Sequence, residues 1–253
     1  LGIYFLDRRL HEAIYGIYGF VRFADEIVDT FHDFDRRRLL ADFKRETYRA
    51  IDNGISLNPI LHSFQKTVNR YNIERELIET FLRSMEMDLQ KSRHDASSFD
   101  DYILGSAEVV GLMCLRVFCD GADARYRSLK KPAQRLGAAF QKVNFLRDLH
   151  DDFHELERSY FPNFDVRNFD EKTKAEIEAD IKSDFHAALE GIRRLPSGSR
   201  FGVYVAYVYY RALLEKIEAT SGEVLLKKRM RVPNLRKFSL LVHSYLRYSL
   251  GWL

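Results

Sequence analysis

Apolar residues recur at helical spacing along almost the whole chain. Leu10, Ile14, Ile17, Val21, Ala24, Val28 and Phe31 advance by alternating steps of four and three, which describes a helix buried along one stripe. A second helix is expected over Arg36–Asn53, stopping at Asn53-Gly54. Asn58-Pro59 pairs an N-cap residue with a proline suited to the first helical position, and so opens a third. Further helices are expected over residues 75–91, 98–119, 132–158, 171–195, 201–220 and 234–250. The Val/Tyr-rich opening of the 201–220 segment has strand propensity. Its continuation YRALLEKIEA is strongly helical, so the whole segment is read as helix. The turn at 196–200, PSGSR, is the most linker-like piece. The pattern predicts about ten helices with short connections, forming a single all-α domain over residues 1–253.

Composition narrows this picture. The 253 residues are 46% hydrophobic and 30% charged, an ordinary globular balance. Only 5 Pro and 13 Gly are present, too few for the turns of an all-β sandwich. A net charge of +3 is too small for a dedicated nucleic-acid binder. No apolar run approaches the roughly 18 residues of a membrane-spanning helix. Cys114 and Cys119 form neither a metal-ligand pattern nor a disulfide framework, so a reduced, cytoplasmic protein is expected. The chain begins at Leu1 directly in structured-looking sequence, without a signal-peptide pattern, and an N-terminal piece is expected to be missing from this numbering.

Two segments carry candidate chemistry. In YGFVRFADEIVDTF, Arg22, Asp25 and Asp29 fall within about 60° of arc on one helix. Carboxylates four residues apart repel, and a cation between them reverses that sign; a solvated acidic face is the plain alternative. In NFLRDLHDDFHELERSYFP, Asn144, Asp148 and Asp152 form a stripe of oxygen ligands beside the apolar face, with Arg147 on the buried side. Hard oxygen donors suit Mg²⁺, which completes its octahedron with phosphate and water, and an arginine beside such a site can hold phosphate bidentately. Both acidic pairs are expected to repel until a cation arrives, so replacing Asp25 or Asp148 by alanine should raise metal-free stability. His150 and His154 imitate a zinc motif, but lie on the apolar side of the helix and are read as structural.

These segments together resemble the squalene/phytoene synthase family. DEIVD after Arg22, and N-x-L-R-D-x-x-x-D followed by R-x-Y-x-P, carry the likeness. MEMDL at 85–89, YILGSAEVVGLM at 102–113, YYRALLEKI and RMRVPNLRKF extend it in order over nearly the whole chain. The resemblance implies an all-α isoprenoid synthase fold around a central apolar cavity. It implies Mg²⁺ held by Asp25, Asp29, Asn144, Asp148 and Asp152, and diphosphate held by Arg22, Arg147 and Arg229. Tyr102 and Tyr210 match tyrosines near the reacting carbons, although core packing is the commoner fate of such residues. Departures are Glu108 and Ser106 in place of small apolar residues, and an extra residue before Arg158.

The resemblance implies head-to-head joining of two prenyl diphosphates. Phytoene from two geranylgeranyl diphosphates, by way of a cyclopropyl diphosphate, is the expected reaction. Squalene or dehydrosqualene from farnesyl diphosphate, a metal-dependent all-α phosphohydrolase and a non-catalytic assembly subunit are the alternatives. The small residues Gly105, Ser106, Ala107 and Gly111 are expected to leave room for a long chain, or equally to let helices pack closely. Prenyl diphosphates are the expected partners. Lys227, Lys228, Arg229 and Arg231 are a candidate for peripheral membrane contact, and the sequence leaves the oligomeric state open.

Overall fold

The computed structural model describes residues 2–89, 96–154 and 169–252, and the side chains within them except at 96–98 and 151–154. All elements among the described residues are helical. A 3₁₀ turn at Gly2–Phe5 leads into α1 (Arg8–Asp29), α2 (Arg36–Asn53), α3 (Pro59–Tyr71), α4 (Arg75–Asp88) and α5 (Ala96–Ile103). A π-helical turn at Leu104–Glu108 then joins α5 to α6 (Val109–Phe118). The chain continues through α7 (Asp123–His154), α8 (Glu171–Arg194), α9 (Ser197–Glu218), the one-turn α10 (Gly222–Leu225) and α11 (Asn234–Ser249).

Local sequence explains several boundaries. The Asp35 side chain accepts from the Arg38 amide and starts α2, and Gly54 ends it at φ 68°, a left-handed conformation that glycine adopts without strain. Asn58 Oδ1 accepts from the amides of Ile60 and Leu61 at 3.0 and 3.3 Å, so the Asn-Pro pair opens α3 as its chemistry predicts.

Three boundaries differ from the sequence pattern. The helix expected to start at Pro132 begins nine residues earlier, at Asp123, and runs through the proline. Proline removes one backbone donor and orphans the carbonyl four residues before it. Here that carbonyl, on Ser128, accepts from Arg194 Nη2 at 3.3 Å, so the helix continues without a lost partner. The helix expected over 98–119 is interrupted by the Leu104–Glu108 π turn. The linker-like 196–200 turn is instead the first turn of α9. Arg200 folds back to donate to the Leu195 carbonyl through Nε and Nη2 at 2.9 and 2.7 Å, closing the corner. The far ends of the helices expected over 75–91 and 132–158 lie outside the described residues.

Two apolar clusters hold the helices together. In the first, Phe20 of α1 stacks on Phe64 of α3 with ring centroids 3.9 Å apart, and Phe43 and Phe81 complete an aromatic cluster. The second gathers Leu146 and Leu149 of α7, Phe185 of α8 and Leu213 and Ile217 of α9. Between α7 and α8 the buried ammonium of Lys142 donates to Asp184 at 2.7 Å and to Asp180, and Arg135 reaches Asp184 at 3.0 Å. A buried cation requires such partners, so this clamp fixes the rotation of α7 against α8.

Close approaches at glycine set the separation of α7 from its neighbours. A Cβ on Gly137 would meet the carbonyl oxygen of Ala107 at 2.7 Å, and backbone cannot yield cheaply. A Cβ on Gly19 of α1 would meet only Ile60 Cγ2 at 3.6 Å, an ordinary contact. Gly137→Ala is therefore expected to destabilise the protein by about 1–3 kcal/mol. Gly19→Ala should stabilise it by about 0.5–1 kcal/mol through helix propensity. Urea unfolding midpoints of the two variants check both signs.

Candidate functional site

An apolar cavity of about 430 Å³ lies among the 3₁₀ turn, the π turn and helices α6 to α9. Its wall is largely aliphatic, with Val110, Leu136 and Ile192 among its residues. Its polar residues are few and include Ser106, Gln141, Asn144 and Tyr210. Ser106, Ala107 and Gly111 line this space, and Gly111 also serves close packing, because a Cβ there would meet the Ala133 carbonyl oxygen at 3.2 Å. Gly105 does not: a Cβ there would sit 2.6 Å from Ser84 Cβ, so this glycine serves the approach of α4.

The second motif reaches the cavity through α7. Asn144 lines it and accepts from the Tyr210 hydroxyl at 3.2 Å, while the Tyr210 ring stacks on Phe140 at 4.0 Å. Tyr210 is thus held by one hydrogen bond and one ring face. Burial pushes its pKa up, with Arg147 and the Asn144 bond opposing. One turn further along, Asp148 Oδ1 accepts from Arg147 Nε at 2.9 Å and forms an ion pair with Arg229, whose Nε lies 2.7 Å away, and Oδ2 accepts from Arg147 Nη2. Arg229 arrives from the segment after α10, which is pinned by the Met230 amide on the Arg147 carbonyl at 3.3 Å. Burial works to lower the Arg147 pKa, but its hydrogen bond to Asp148 and that carboxylate's charge leave it raised.

Among the described residues Asp148 is compensated by two guanidiniums; the Asp152 side chain expected to repel it lies outside them. The side chains of Asp152 and His154 lie outside the described residues, as do Arg158 and Tyr160. His150 is half-buried.

The first motif behaves as expected of like charges. Asp25 sits half-buried on α1, and its pKa is pushed up to about 7. Burial is the main cause and Asp29 the next; Arg22 opposes, and Asp88 and Glu26 add to the rise. Asp29 is exposed, and Arg22 is exposed and paired with Glu26 one turn on.

Asp88, within the MEMDL segment, lies beside the first motif, a position that the sequence pattern alone does not reveal. It ends α4, close enough to Asp25 to disfavour its ionisation, and its Oδ2 accepts from the Tyr102 hydroxyl at 2.8 Å. The available signal was an acid on a core stripe: Phe81 and Met85 are buried, and Asp88 follows at the next position of the same face. Tyr102 is buried against Phe145 and joins the acidic group through Asp88. Among the described residues it is not part of the cavity wall.

The donor chemistry fits a hard divalent cation. Asp25, Asp29, Asp88, Asn144 and Asp148 offer only oxygen. Among the described residues no group of three or more His, Cys, Asp or Glu forms a cage by itself. Mg²⁺ does not need one, because it takes one or two carboxylates and completes its shell with phosphate and water. A separate polar cleft of about 630 Å³ beside α5 and α7 contains Arg127, Lys130 and Lys131. Its Arg135 and Lys142 are already committed to Asp184.

The chain is 30% identical over 261 aligned positions to phytoene synthase 3, chloroplastic, of Zea mays, covering 95% of this chain and 60% of that protein. It is 27% identical over 274 positions to the phytoene synthase of Arthrospira platensis, covering 98% and 87% of the two chains. The chain thus spans about three fifths of the maize relative's length. A crystal structure of a dehydrosqualene synthase in complex with ligand superposes with a TM-score of 0.80 at 18% identity, covering 98% of this chain and 90% of that one. That likeness shows the all-α isoprenoid synthase fold. The squalene/phytoene synthase description itself matches residues 1–236, so the chain belongs to the squalene/phytoene synthase family.

Proposed function

We propose that the protein is a prenyltransferase that condenses two geranylgeranyl diphosphates head to head into phytoene, through a cyclopropyl diphosphate and with Mg²⁺. The observation that carries this reading is the continuity of α7: Phe140 and Asn144 line the apolar cavity, and Arg147 and Asp148 follow within one turn. Such a helix can hold a diphosphate at one end and a prenyl chain along its side.

The residues divide the chemistry between them. Arg147 and Arg229 are positioned by Asp148 to bind the diphosphate oxygens, and fixed cations stabilise the charge that grows as the allylic C–O bond breaks. Mg²⁺ held by Asp25, Asp29, Asn144, Asp148 and Asp152 would add charge neutralisation at the departing diphosphate. The aliphatic wall excludes water, which would otherwise trap the cation as an alcohol. The ring faces of Tyr210 and Phe140 stabilise positive charge without offering a nucleophile. The second substrate's double bond supplies the electron pair for the new carbon–carbon bond, and a proton is lost as the cyclopropane closes. Departure of the second diphosphate, rearrangement and a further proton loss give phytoene with no reductant consumed.

Incubation with equal farnesyl and geranylgeranyl diphosphate and Mg²⁺, with and without NADPH, tests the substrate. Predominant C40 hydrocarbon, independent of NADPH and abolished by chelation, is expected. Predominant C30 product, or inorganic diphosphate without a new carbon–carbon bond, contradicts the reading.

Charge at the two motifs predicts opposite effects of neutralisation. In metal-free protein Asp25 keeps its proton up to about pH 7, whereas an unfolded aspartate releases it near about pH 4. Folding therefore loses this contribution as pH rises from about 4 to 7. Thermal scans in chelator should show Asp25→Asn gaining on the parent across that window, with the gap level above it. A pH-independent gap removes Asp25 from the acidic group. Asp148→Ala should instead lower metal-free stability, by about 1–3 kcal/mol, because Arg147 is left half-buried without its carboxylate. Its turnover should fall by at least about 10²-fold. Denaturant titration and product assays check the two halves.

A further inference from the structure

Helix α7 divides its side chains between two spaces. Phe140, Gln141 and Asn144 line the apolar cavity, whereas Arg127, Lys131, Arg135 and Lys142 line the separate polar cleft of about 630 Å³. The π turn is shared in the same way, with Ser106 and Ala107 on the cavity and Glu108 on the cleft. Five cations line the cleft, Lys130 included, against the two carboxylates of Asp100 and Glu108. Two of the five are already compensated: Arg135 and Lys142 both pair with Asp184, and Lys142 also pairs with Asp180. The other three, Arg127, Lys130 and Lys131, are exposed, and among the described residues none of them forms an ion pair.

These three cations sit within about 6 Å of helix rise. Like charges three and four residues apart on a helix repel. Asp123, one turn before Arg127, is the acid placed to offset them, but it is committed to Arg116, from which it accepts at 2.6 Å. The two carboxylates of the lining lie further along the cleft. Glu108 accepts from Gln134 at 2.9 Å, and Asp100 follows Phe99, whose ring centroid is 6.2 Å from that of Phe145, beyond Lys142. One end of the cleft is therefore cationic and the rest is mixed.

A compact group of cations at the end of a cleft suits a compact group of anionic oxygens. We propose that this cleft binds a small polyphosphate, free or carried by a nucleoside, with its phosphate oxygens on Arg127, Lys130 and Lys131. The Arg127 guanidinium can hold two phosphate oxygens as a fork, and the two ammonium groups add point charges on flexible stems. A nucleoside would extend from there along Gln134 and Glu108, which offer an amide and a carboxylate to its hydroxyls, towards the apolar Ile103 and Ala138. A nucleic acid suits the cleft less well, because its repeating phosphates would run on past Glu108 and Asp100. The occupant rests on the π turn from the side opposite the apolar cavity.

Calorimetric titration of the full chain with tripolyphosphate and with ATP, in chelator, tests the proposal without reference to catalysis. One saturable site with a Kd below about 1 mM, weakened by salt, is expected. Tighter binding of ATP assigns a nucleoside carrier, and equal or tighter binding of tripolyphosphate assigns the free polyphosphate. Lys130→Gln/Lys131→Gln should weaken the binding at least about tenfold without lowering Tm. Arg229→Gln, at the diphosphate site proposed beside the cavity, should leave it within about twofold. Absence of saturable binding of either ligand overturns the proposal. So does binding that the lysine variant leaves intact, or that Arg229→Gln weakens as much.

Discussion

Asp148 holds the guanidiniums of Arg147 and Arg229 one helical turn beyond the polar residues of a largely aliphatic cavity, and the placement of the rest of the site follows from that contact. Two cations beside an apolar wall are costly unless a carboxylate compensates them. The same contact joins distant parts of the chain, because Arg229 comes from beyond α10 and its neighbour Met230 is bonded to the backbone of α7. In the proposed reaction the trio is already assembled before substrate arrives, so little reorganisation is needed as diphosphate charge develops.

The precision of that placement depends on how α7 is seated. Gly137 lets its backbone approach the π turn, Gly191 of α8 accepts the ring of Pro132, and Lys142 is locked between two aspartates. Those contacts turn Leu136, Phe140 and Asn144 towards the cavity. The α1 side is built on the opposite principle. Asp25 is held near Asp29 and Asp88, whose charges together with burial disfavour its ionisation, while Arg22 opposes them.

Much of this was legible in the sequence, for identifiable reasons. The limits of α2 and the start of α3 follow from short-range chemistry at Asp35, Gly54 and Asn58, whose effects reach only a few residues. The long apolar periodicities gave the other helices. What escaped depends on partners distant in sequence. Pro132 reads as a helix start unless Arg194 is known to cap the Ser128 carbonyl 66 residues away. The π turn has no residue signature of its own and sits where Gly105 meets Ser84. The pairing of Asp148 with Arg229 could not be read from helical spacing, which places Asp148 only beside other oxygens. Asp88 was visible as part of a motif, but its nearness to Asp25 is a tertiary fact.

The central claim is that one helix presents a diphosphate site and an apolar cavity in continuity. A crystal structure of the protein with Mg²⁺ and a non-ionisable thiolo analogue of geranylgeranyl diphosphate tests it most directly. Diphosphate oxygens are expected on Arg147 and Arg229, with the prenyl chain running past Asn144 and Phe140 into the cavity between Leu136 and Gly111. A diphosphate bound instead at Arg127, Lys130 and Lys131, or a chain lying outside that cavity, would contradict it.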